Sequence, residues 1–312
     1  FVEAGFVDYV SDEHTVSFPW TMIDKITPRP STDVANALEA DGVENMQPVI
    51  TAKQTYIAPF VNAEGPQYLV VEDNFPNGRP PMEKAGVYMA DRLTVNRSER
   101  MKVTACLNPI HSALGPYDVM LGYELFADGM ADPQLSRLAA QVGYREGLPV
   151  VEDPGILSPR AFIDEVIQER FPNAYLGDTS QRICTDISQG VAFRFGETIK
   201  AYVARDGSAA ALTGIPLAIA GWLRYLLAVD DAGKPYPLAP DPMADELTQQ
   251  LSAVQVGQPE TYAGQLRPIL ANSHIWGINL YVAGLGEKVE RLFCEEIAGI
   301  GAVRATLKRY LG

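Results

Sequence analysis

The sequence predicts a mainly α-helical protein with a smaller mixed α/β part. Residue runs with the β-branched and aromatic content of strands occur before residue 92, whereas apolar residues recur at helical spacing through the rest. Several of these periodic stretches begin with a favourable N-cap, such as Asp132 before Pro133. We therefore predict an α/β part over residues 1–92 and a helical part over residues 93–312.

The α/β part is predicted to combine two short helices with several strands and loops. Helices are predicted over residues 1–12 and 31–40, and strands over residues 15–18, 48–51, 56–60, 68–72 and 86–90. Ser31 is a suitable N-cap for the second helix, because its hydroxyl can accept a hydrogen bond from the first turn. Prolines punctuate residues 19–30, which are predicted to form a loop.

The helical part is predicted from apolar periodicity and from helix start and stop signals. Helices are predicted over residues 94–107, 110–126, 178–188, 194–204, 216–228, 242–255, 286–298 and 302–311, and two more begin near residues 132 and 158. The longest uncharged apolar run, residues 209–223, is too short to span a bilayer, so it is predicted to contribute to a core helix.

The composition is that of an acidic globular protein. With 47% hydrophobic and 21% charged residues, the chain has enough apolar content to fold around a sizeable core. Its formal net charge of −14 would repel nucleic acids and anionic membranes, so neither is a predicted partner. A small-molecule substrate is expected instead, and an anionic one would need local cations. The oligomeric state is left open.

Cysteine and histidine usage predicts neither disulfides nor a metal site. Cys106, Cys184 and Cys294 are odd in number and far apart in sequence, which does not indicate a disulfide framework. The three histidines also lack metal-ligand spacing. We therefore expect free thiols in a reducing cytoplasm, and no bound metal.

Lys102, Asn108 and His111 stand close together in an otherwise apolar helical pattern. A lysine among apolar residues either reaches water or lies in a pocket that uses its charge. Desolvation lowers the basicity of such an amine, which can then exchange a proton with an oxygen atom. Asparagine and neutral histidine can hold that oxygen by hydrogen bonds. The trio therefore suits proton transfer at an alcohol or a carbonyl.

The spacing of this trio requires an irregular helix. Asn108 and His111 share a helix face, but at about 100° per residue Lys102 lies on the opposite face from His111. Pro109 also removes a helical hydrogen bond. We therefore predict a π-bulge or break near residues 104–108, which brings the lysine within about 80° of the histidine. From these residues alone, a surface lysine, a helix-breaking Asn-Pro pair and a structural histidine remain the alternative.

Two motifs resemble those of a known enzyme family. The trio, followed by Ser-Ala-Leu at residues 112–114, resembles the catalytic signature of the polyol-specific long-chain dehydrogenases, the mannitol dehydrogenase family. Residues 17–28 are similar to a second motif of that family. The amino-acid sequences of both motifs most resemble those of the hexuronate-specific branch of the family. The resemblance extends through nearly the whole chain.

The resemblance implies a C-terminal helical substrate domain together with the tail of a Rossmann-like dinucleotide-binding domain. No strand followed by a Gly-x-Gly loop and a helix is found, so we expect a longer protein whose pyrophosphate site lies upstream. The implied reaction is hydride transfer that uses NAD or NADP and interconverts D-fructuronate and D-mannonate, without a metal. The alternatives are another uronate or polyol, such as tagaturonate or fructose, and a non-catalytic helical module.

The resemblance also implies roles for five residues. Lys102 is the acid/base, and Asn108 and His111 orient the reacting oxygen. Asp24 is expected near the cofactor and the lysine, and Arg182 near the substrate, where its planar fork suits a carboxylate. From the residues alone, Asp24 can instead belong to a surface turn, and Arg182 can pair with an acidic residue four positions away.

Two positions depart from the usual pattern of the family. Five residues rather than four separate the lysine and the asparagine of the trio, which the predicted bulge accommodates. The family usually has a lysine eight positions after Arg182, where this chain has Gly190. A cationic contact is therefore missing or is supplied by another residue, for which Arg194 and Lys200 are the candidates.

Overall fold

The computed structural model describes residue 3, residues 5–27 and residues 30–312, and these form two compact units. The first unit contains the described residues up to Met101 together with Glu152–Ser158, and the second contains Lys102–Val151 and Pro159–Gly312. Parts of the predicted first helix (residues 1, 2 and 4) and of the predicted loop (residues 28 and 29) lie outside the described residues. The domain boundary between residues 92 and 93 stays a prediction, because compact packing does not define independent domains.

The first unit is built on a small mixed sheet. Its helices are Phe6–Ser11, Thr32–Ala40 and Arg92–Met101, its 3₁₀ turn is Met82–Ala85, and its strands are Thr21–Asp24, Val49–Ile50, Tyr56–Ile57, Tyr68–Glu72 and Tyr88–Ala90. The central strand Tyr68–Glu72 is antiparallel to Thr21–Asp24 and parallel to Tyr88–Ala90. As predicted, the Ser31 hydroxyl caps its helix by accepting a hydrogen bond from the Val34 amide at 3.3 Å.

The first strand lies later in the sequence than predicted. Residues 15–18 are not a strand, and the strand Thr21–Asp24 falls inside the predicted loop. Met22 lies opposite Val70 in the sheet, and both side chains are fully buried. Burial of this apolar pair decides the register, whereas the prolines that indicated a loop flank the strand without interrupting it.

The second unit is helical. Its α-helices are Asn108–Leu121, Phe126–Met130, Pro133–Ala140, Pro159–Glu165, Ser180–Ile183, Ile187–Val191, Glu197–Asp206, Gly214–Tyr225, Ala244–Gln250, Arg267–Ala271, Ser273–Trp276, Gly286–Glu296 and Ala302–Leu311, with 3₁₀ turns at Ala174–Leu176 and Pro259–Thr261. The predicted fold class, mainly helical with a smaller α/β part, is therefore confirmed. In the described part of the chain, no helix is long and apolar enough to cross a membrane.

The core of the second unit is the helix Gly214–Tyr225, in which every residue is buried. It packs against the helices Asn108–Leu121 and Gly286–Glu296. Its composition explains this position, because a helix without a polar face has to lie among other elements. The close approach requires Gly221, since a Cβ at that position would overlap the ring of Tyr117.

A buried carboxylate fixes the start of this core helix. Glu146 accepts hydrogen bonds from the amides of Thr213 and Gly214 at 2.7 Å and from that of Ile215 at 2.8 Å. These amides have no acceptor within the helix, and the helix dipole favours a negative charge beside them. The cap therefore comes from a distant part of the chain, where no local sequence signal indicates it.

Tyr117 and Glu296 form a buried pair between two core helices. The Tyr117 hydroxyl lies 2.6 Å from Oε1 of Glu296 and 2.8 Å from the carbonyl oxygen of Leu217. The hydroxyl has one proton, which the two acceptors share unless the Glu296 carboxyl is protonated and donates its own. Burial raises the pKa of Glu296 to about 8, despite the lowering effects of Tyr117 and Arg224. The carboxyl is therefore mostly protonated at neutral pH.

We expect this carboxyl to make stability depend on pH. Its pKa in the folded chain exceeds the ordinary value of 4.5, so the folded state holds an extra proton between pH 4.5 and about 8. Its contribution to stability is complete below that range and is lost as the pH rises through it. Glu296→Gln keeps a neutral hydrogen-bonding group and should remove this slope, which urea unfolding at several pH values measures. Equal slopes in the two proteins would contradict the assignment.

π-Helical segments are the main irregularity of the second unit. They lie at Lys102–Cys106, Gln141–Gly147, Val166–Arg170 and Ala192–Gly196. The first of them packs against Gln141–Gly147 and against Ala192–Gly196. Such segments insert an extra residue into a helix and are frequent at functional sites. Three of the four therefore meet around Lys102–Cys106, which makes this region a candidate functional site.

Candidate active site

The predicted helix irregularity is present at the candidate catalytic lysine. Lys102 begins the π-helix Lys102–Cys106, and the Leu107 amide donates to the Lys102 carbonyl, five residues back, at 3.1 Å. A regular α-helix begins again at Asn108. The extra residue therefore lies between the lysine and the asparagine, as the spacing of the trio predicted.

Contacts from other helices support this π-helix. The Thr104 carbonyl accepts a hydrogen bond from the Thr198 hydroxyl at 3.0 Å. Pro109 cannot donate to the Ala105 carbonyl, and Gly147 packs against that oxygen, since a Cβ at Gly147 would lie 3.2 Å from it. The irregularity that the proline introduces is thus accommodated by tertiary packing.

Three of the predicted site residues line one cavity of about 370 Å³ in the second unit. The lining residues are Asn108, His111, Ser112, Arg182, Ile183, Thr185, Asp186 and Arg194. Lys102 is not among them, although it precedes Asn108 by only six residues. The Asn108 Oδ1 is buried without a hydrogen-bond partner among the described residues. A buried acceptor of this kind is costly unless a ligand or a water satisfies it.

His111 is held as a neutral ring. It stacks on Phe171 with ring centroids 4.5 Å apart and meets the edge of Phe126 at 4.7 Å. Burial, followed by the charges of three arginines, lowers the pKa of His111 to about 3. In order of effect, these arginines are Arg182, Arg194 and Arg170. A neutral imidazole has one donor and one acceptor, which suits it to hold a hydroxyl or a carbonyl oxygen.

Arg182 lines the cavity, but its charge is already balanced. Its guanidinium pairs with both carboxylate oxygens of Asp178, four residues earlier. This pairing is the alternative that the sequence left open. An arginine has five N–H donors, so the pair does not exhaust them. The role of Arg182 toward a substrate stays a prediction.

Arg194 is the second cationic residue of the cavity. Its Nη1 donates to the Ser112 hydroxyl at 2.7 Å, and Ser112 follows His111 in the same helix. Lys200, the other candidate for the missing cationic contact, instead pairs with Glu197 in its own helix. Of the two candidates, Arg194 is therefore the one that lines the cavity.

Asp24 ends the strand Thr21–Asp24 of the first unit and is buried. The alternative of an exposed turn at Asp24 and Lys25 is therefore wrong. Glu64 fixes the backbone that follows, since its carboxylate accepts a hydrogen bond from the Ile26 amide at 2.6 Å. The role of Asp24 toward a cofactor or toward the catalytic lysine stays a prediction.

Sequence reasoning missed the two rings that pack on His111 and the role of Asp186 in lining the cavity. Phe126 and Phe171 come from separate segments, and nothing in the sequence links them to His111. Asp186 adopts a left-handed φ of 54°, which is uncommon for non-glycine residues and is often found at functional sites. It also divides the predicted helix 178–188 into two shorter helices. Aspartate tolerates this conformation, so its presence there was a weak signal of the break.

Comparison with known sequences gives one domain match and several similar proteins. Residues 94–289 match the mannitol dehydrogenase C-terminal domain. Over its whole length, the chain is 52% identical to a D-mannonate oxidoreductase of Thermotoga maritima. It is 30% identical over 86% of its length to a D-mannonate oxidoreductase of Escherichia coli, and 33% identical over 76% to a mannitol 2-dehydrogenase of Aspergillus terreus. It covers 58%, 50% and 44% of those proteins, and so spans about half the length of the curated relatives it matches.

Solved structures give the same result. The chain resembles a Pseudomonas fluorescens mannitol 2-dehydrogenase in a ternary complex with NAD and D-mannitol, with a TM-score of 0.72 and 27% identity. This match covers 97% of the chain and 55% of that protein. It also resembles a substrate-free D-sorbitol dehydrogenase, with a TM-score of 0.73, 25% identity and coverage of 96% and 56%. The domain match and the identity along the whole chain agree with the motifs around Lys102, and the chain belongs to the mannitol dehydrogenase family.

Proposed function

We propose that the complete protein is an NAD- or NADP-dependent oxidoreductase that interconverts D-fructuronate and D-mannonate. The main support for this proposal is the composition of the cavity. The neutral hydrogen-bonding groups of Asn108 and His111 line it together with the guanidinium groups of two arginines, Arg182 and Arg194. Neutral groups suit sugar oxygens, and guanidinium groups suit a carboxylate. In a chain with a formal net charge of −14, such a cavity favours an anionic ligand locally.

In the reduction direction, Lys102 has the role of general acid. As hydride adds to the C5 carbonyl carbon, the carbonyl oxygen gains charge, and its new O–H bond forms while an N–H bond of the lysine ammonium breaks. Asn108 and His111 hold this oxygen and stabilise its charge more strongly in the transition state than in the substrate. Oxidation of the alcohol reverses both transfers.

The described residues supply groups for the reacting oxygen but not a pyrophosphate site. Among them, no strand leads through a Gly-x-Gly loop into a helix, which is a common cradle for dinucleotide phosphates. A nicotinamide cofactor supplies the hydride when it is bound, and Asp24 is assigned to its neighbourhood. The cavity residues do not discriminate between NAD and NADP.

The relatives support a uronate over an uncharged polyol. The 52% identity to a D-mannonate oxidoreductase exceeds the 33% identity to a mannitol 2-dehydrogenase. The similar solved structure that holds NAD supports a nicotinamide cofactor.

Free thiols support a reducing compartment, and the proposal places the protein in the cytoplasm. Cys106, Cys184 and Cys294 are unpaired. Burial raises the pKa of the Cys106 and Cys184 thiols, which disfavours the reactive thiolate. Such thiols are typical of proteins that do not depend on disulfides.

The test is oxidation of NADH and NADPH by the complete protein with D-fructuronate, D-tagaturonate or D-fructose as substrate. We expect kcat/KM for D-fructuronate to exceed that for D-fructose by roughly 10- to 100-fold, because a site built for a charged group loses affinity when that group is absent. A preference for D-tagaturonate would support a substrate with a carboxylate but replace D-fructuronate by another uronate. A preference for D-fructose would indicate interconversion of an uncharged sugar and a polyol. Absence of turnover with all three substrates would refute the proposal.

A further inference from the structure

Of the two guanidinium groups lining the cavity, one has a carboxylate partner among the described residues and the other does not. Arg182 pairs with both oxygens of Asp178. Arg194 donates to a neutral hydroxyl, that of Ser112 at 2.7 Å, and no carboxylate in the described part of the chain forms a salt bridge with it. Asp186 attracts Arg194 from a longer distance. Asp186 lines the same cavity without forming a salt bridge with Arg194, so Arg194 is the cavity guanidinium that has no salt-bridged carboxylate among the described residues.

This charge is held where water compensates it poorly. The Arg194 side chain is half-buried, and burial lowers the pKa of its guanidinium despite the attraction of Asp186. The His111 ring in the same cavity is neutral, and the Asp186 carboxylate acts on Arg194 only from beyond salt-bridge distance. A partly desolvated guanidinium that has no salt-bridged carboxylate is costly, and an anionic ligand that pairs with it lowers that cost.

Gly190 makes the room that this guanidinium occupies. Gly190 lies four residues before Arg194, and a Cβ built on it would lie 2.5 Å from Nε and 2.6 Å from Cζ of that arginine. Helical side chains lean toward the N-terminus of the helix, so the arginine extends across the earlier turn. Gly190 does not have a left-handed φ, and its role is therefore space rather than backbone freedom. Any larger residue there would displace the guanidinium.

Ser112 holds the guanidinium within the cavity that contains the predicted oxygen-binding pair. It uses one of the five N–H donors of Arg194, and a carboxylate bound at two points needs two more. In D-fructuronate, three hydroxyl-bearing carbons separate the carboxylate from the carbonyl. A group that binds the carboxylate has to line the same cavity without contacting the reacting oxygen, and Arg194 lines it beside Asn108 and His111.

We infer that Arg194 binds the carboxylate of the substrate through a two-point ion pair, and that Gly190 determines the preference for a uronate by leaving room for the guanidinium. The inference rests on the proposed function for the identity of the substrate. Arg182, neutralised by Asp178, is then a secondary contact.

The test compares Arg194→Met and Gly190→Ala in the complete protein, using D-fructuronate and the uncharged D-fructose. Arg194→Met keeps an unbranched stem and removes the charge. We expect it to lower kcat/KM for D-fructuronate by roughly 10- to 100-fold, and that for D-fructose by less than about threefold. Gly190→Ala should change the ratio in the same direction, because the added methyl group displaces the guanidinium.

Two further variants make the comparison specific. Arg194→Lys keeps the charge but not the planar fork, and should retain part of the uronate preference. Arg205→Met is the matched control, because Arg205 pairs with Asp206 and does not line the cavity. The inference would be overturned if Arg194→Met and Gly190→Ala left the ratio of kcat/KM for D-fructuronate to that for D-fructose unchanged, whether both values fell equally or neither fell. If Arg194→Met does not fold, Gly190→Ala and Arg194→Lys decide the question.

Calorimetric titration with D-mannonate and D-mannitol, in the presence of NADH, separates this inference from the proposed function. D-Mannonate binding that is lost in Arg194→Met supports the inference even without turnover of D-fructuronate, in which case the proposed function alone fails. Turnover of D-fructuronate with unchanged D-mannonate binding in Arg194→Met supports the function and overturns the inference. Absence of D-mannonate binding to the unaltered protein overturns the inference, whatever the turnover shows.

Discussion

Replacing Lys102 by alanine is expected to lower kcat of the complete protein by roughly 10²- to 10⁴-fold. Without an ammonium group at this position, the oxygen that gains charge during reduction has to take its proton from water. Binding of the substrate should change little, because Asn108, His111 and the two arginines of the cavity remain. Steady-state kcat and the Kd for NADH, measured on the same preparation, separate the loss of chemistry from a loss of binding.

Lys102→Arg distinguishes proton transfer from simple charge. Arginine keeps a positive charge but does not give up its proton in proteins, so this variant should be nearly as inactive as the alanine variant. Lys308→Ala is the matched control, because Lys308 is an exposed lysine on the helix Ala302–Leu311. If Lys102→Ala retained the kcat of the unaltered protein, the assignment of Lys102 would be refuted.

Replacing Gly196 by alanine is expected to destabilise the protein by roughly 3 kcal/mol or more. A Cβ at Gly196 would overlap the carbonyl oxygen of Trp276 and lie 3.1 Å from its carbonyl carbon. The clash is with backbone, so no side-chain rotation relieves it, and Trp276 is fully buried. Because Gly196 has a helical φ of −61°, alanine would otherwise stabilise the helix by about 1 kcal/mol. A loss of stability therefore reports the close contact.

Thermal unfolding of this 312-residue chain measures this effect, and the midpoint should fall by roughly 5 °C or more. Gly65→Ala is the control, because its Cβ would meet nothing within 4 Å and its φ is not left-handed. Its effect should stay within about 0.5 kcal/mol. If Gly196→Ala were as stable as the control, the close packing of the π-helix Ala192–Gly196 against Trp276 would be wrong. Since Arg194 lies in that π-helix, uronate preference should fall together with stability.

The irregular helix at Lys102 shows how far local reasoning reaches. Helix periodicity and one proline were enough to predict a bulge, because both act within two turns of the chain. The structure contains the π-helix Lys102–Cys106, which begins slightly before the predicted stretch 104–108. Its exact position also depends on Thr198 and Gly147, which lie far away in the sequence.

The arginines of the cavity show where such reasoning ends. The sequence pointed to Arg182 as the contact for the substrate and left its pairing with an acidic neighbour open. In the structure, Asp178 balances that charge, whereas Arg194 extends over Gly190 and has no salt-bridged carboxylate among the described residues. Which of two cations is neutralised depends on side-chain packing, which residue spacing alone does not specify.

By itself, the sequence determined the fold class, the membership of a dehydrogenase family and the order of the trio Lys102, Asn108 and His111 along one irregular helix. The fold class and the irregular helix follow from periodicity and residue spacing, which are local, and the family membership follows from the resemblance of two motifs. Only the tertiary structure decided that His111 lies neutral between Phe126 and Phe171, that the strand starts at Thr21, and that Arg194 is the cavity arginine without a salt-bridged carboxylate in the described part of the chain. Each of these depends on contacts with residues that are distant in the sequence. For His111 and Arg194, burial and the neighbouring charges together determine the ionisation of the side chain and its partners.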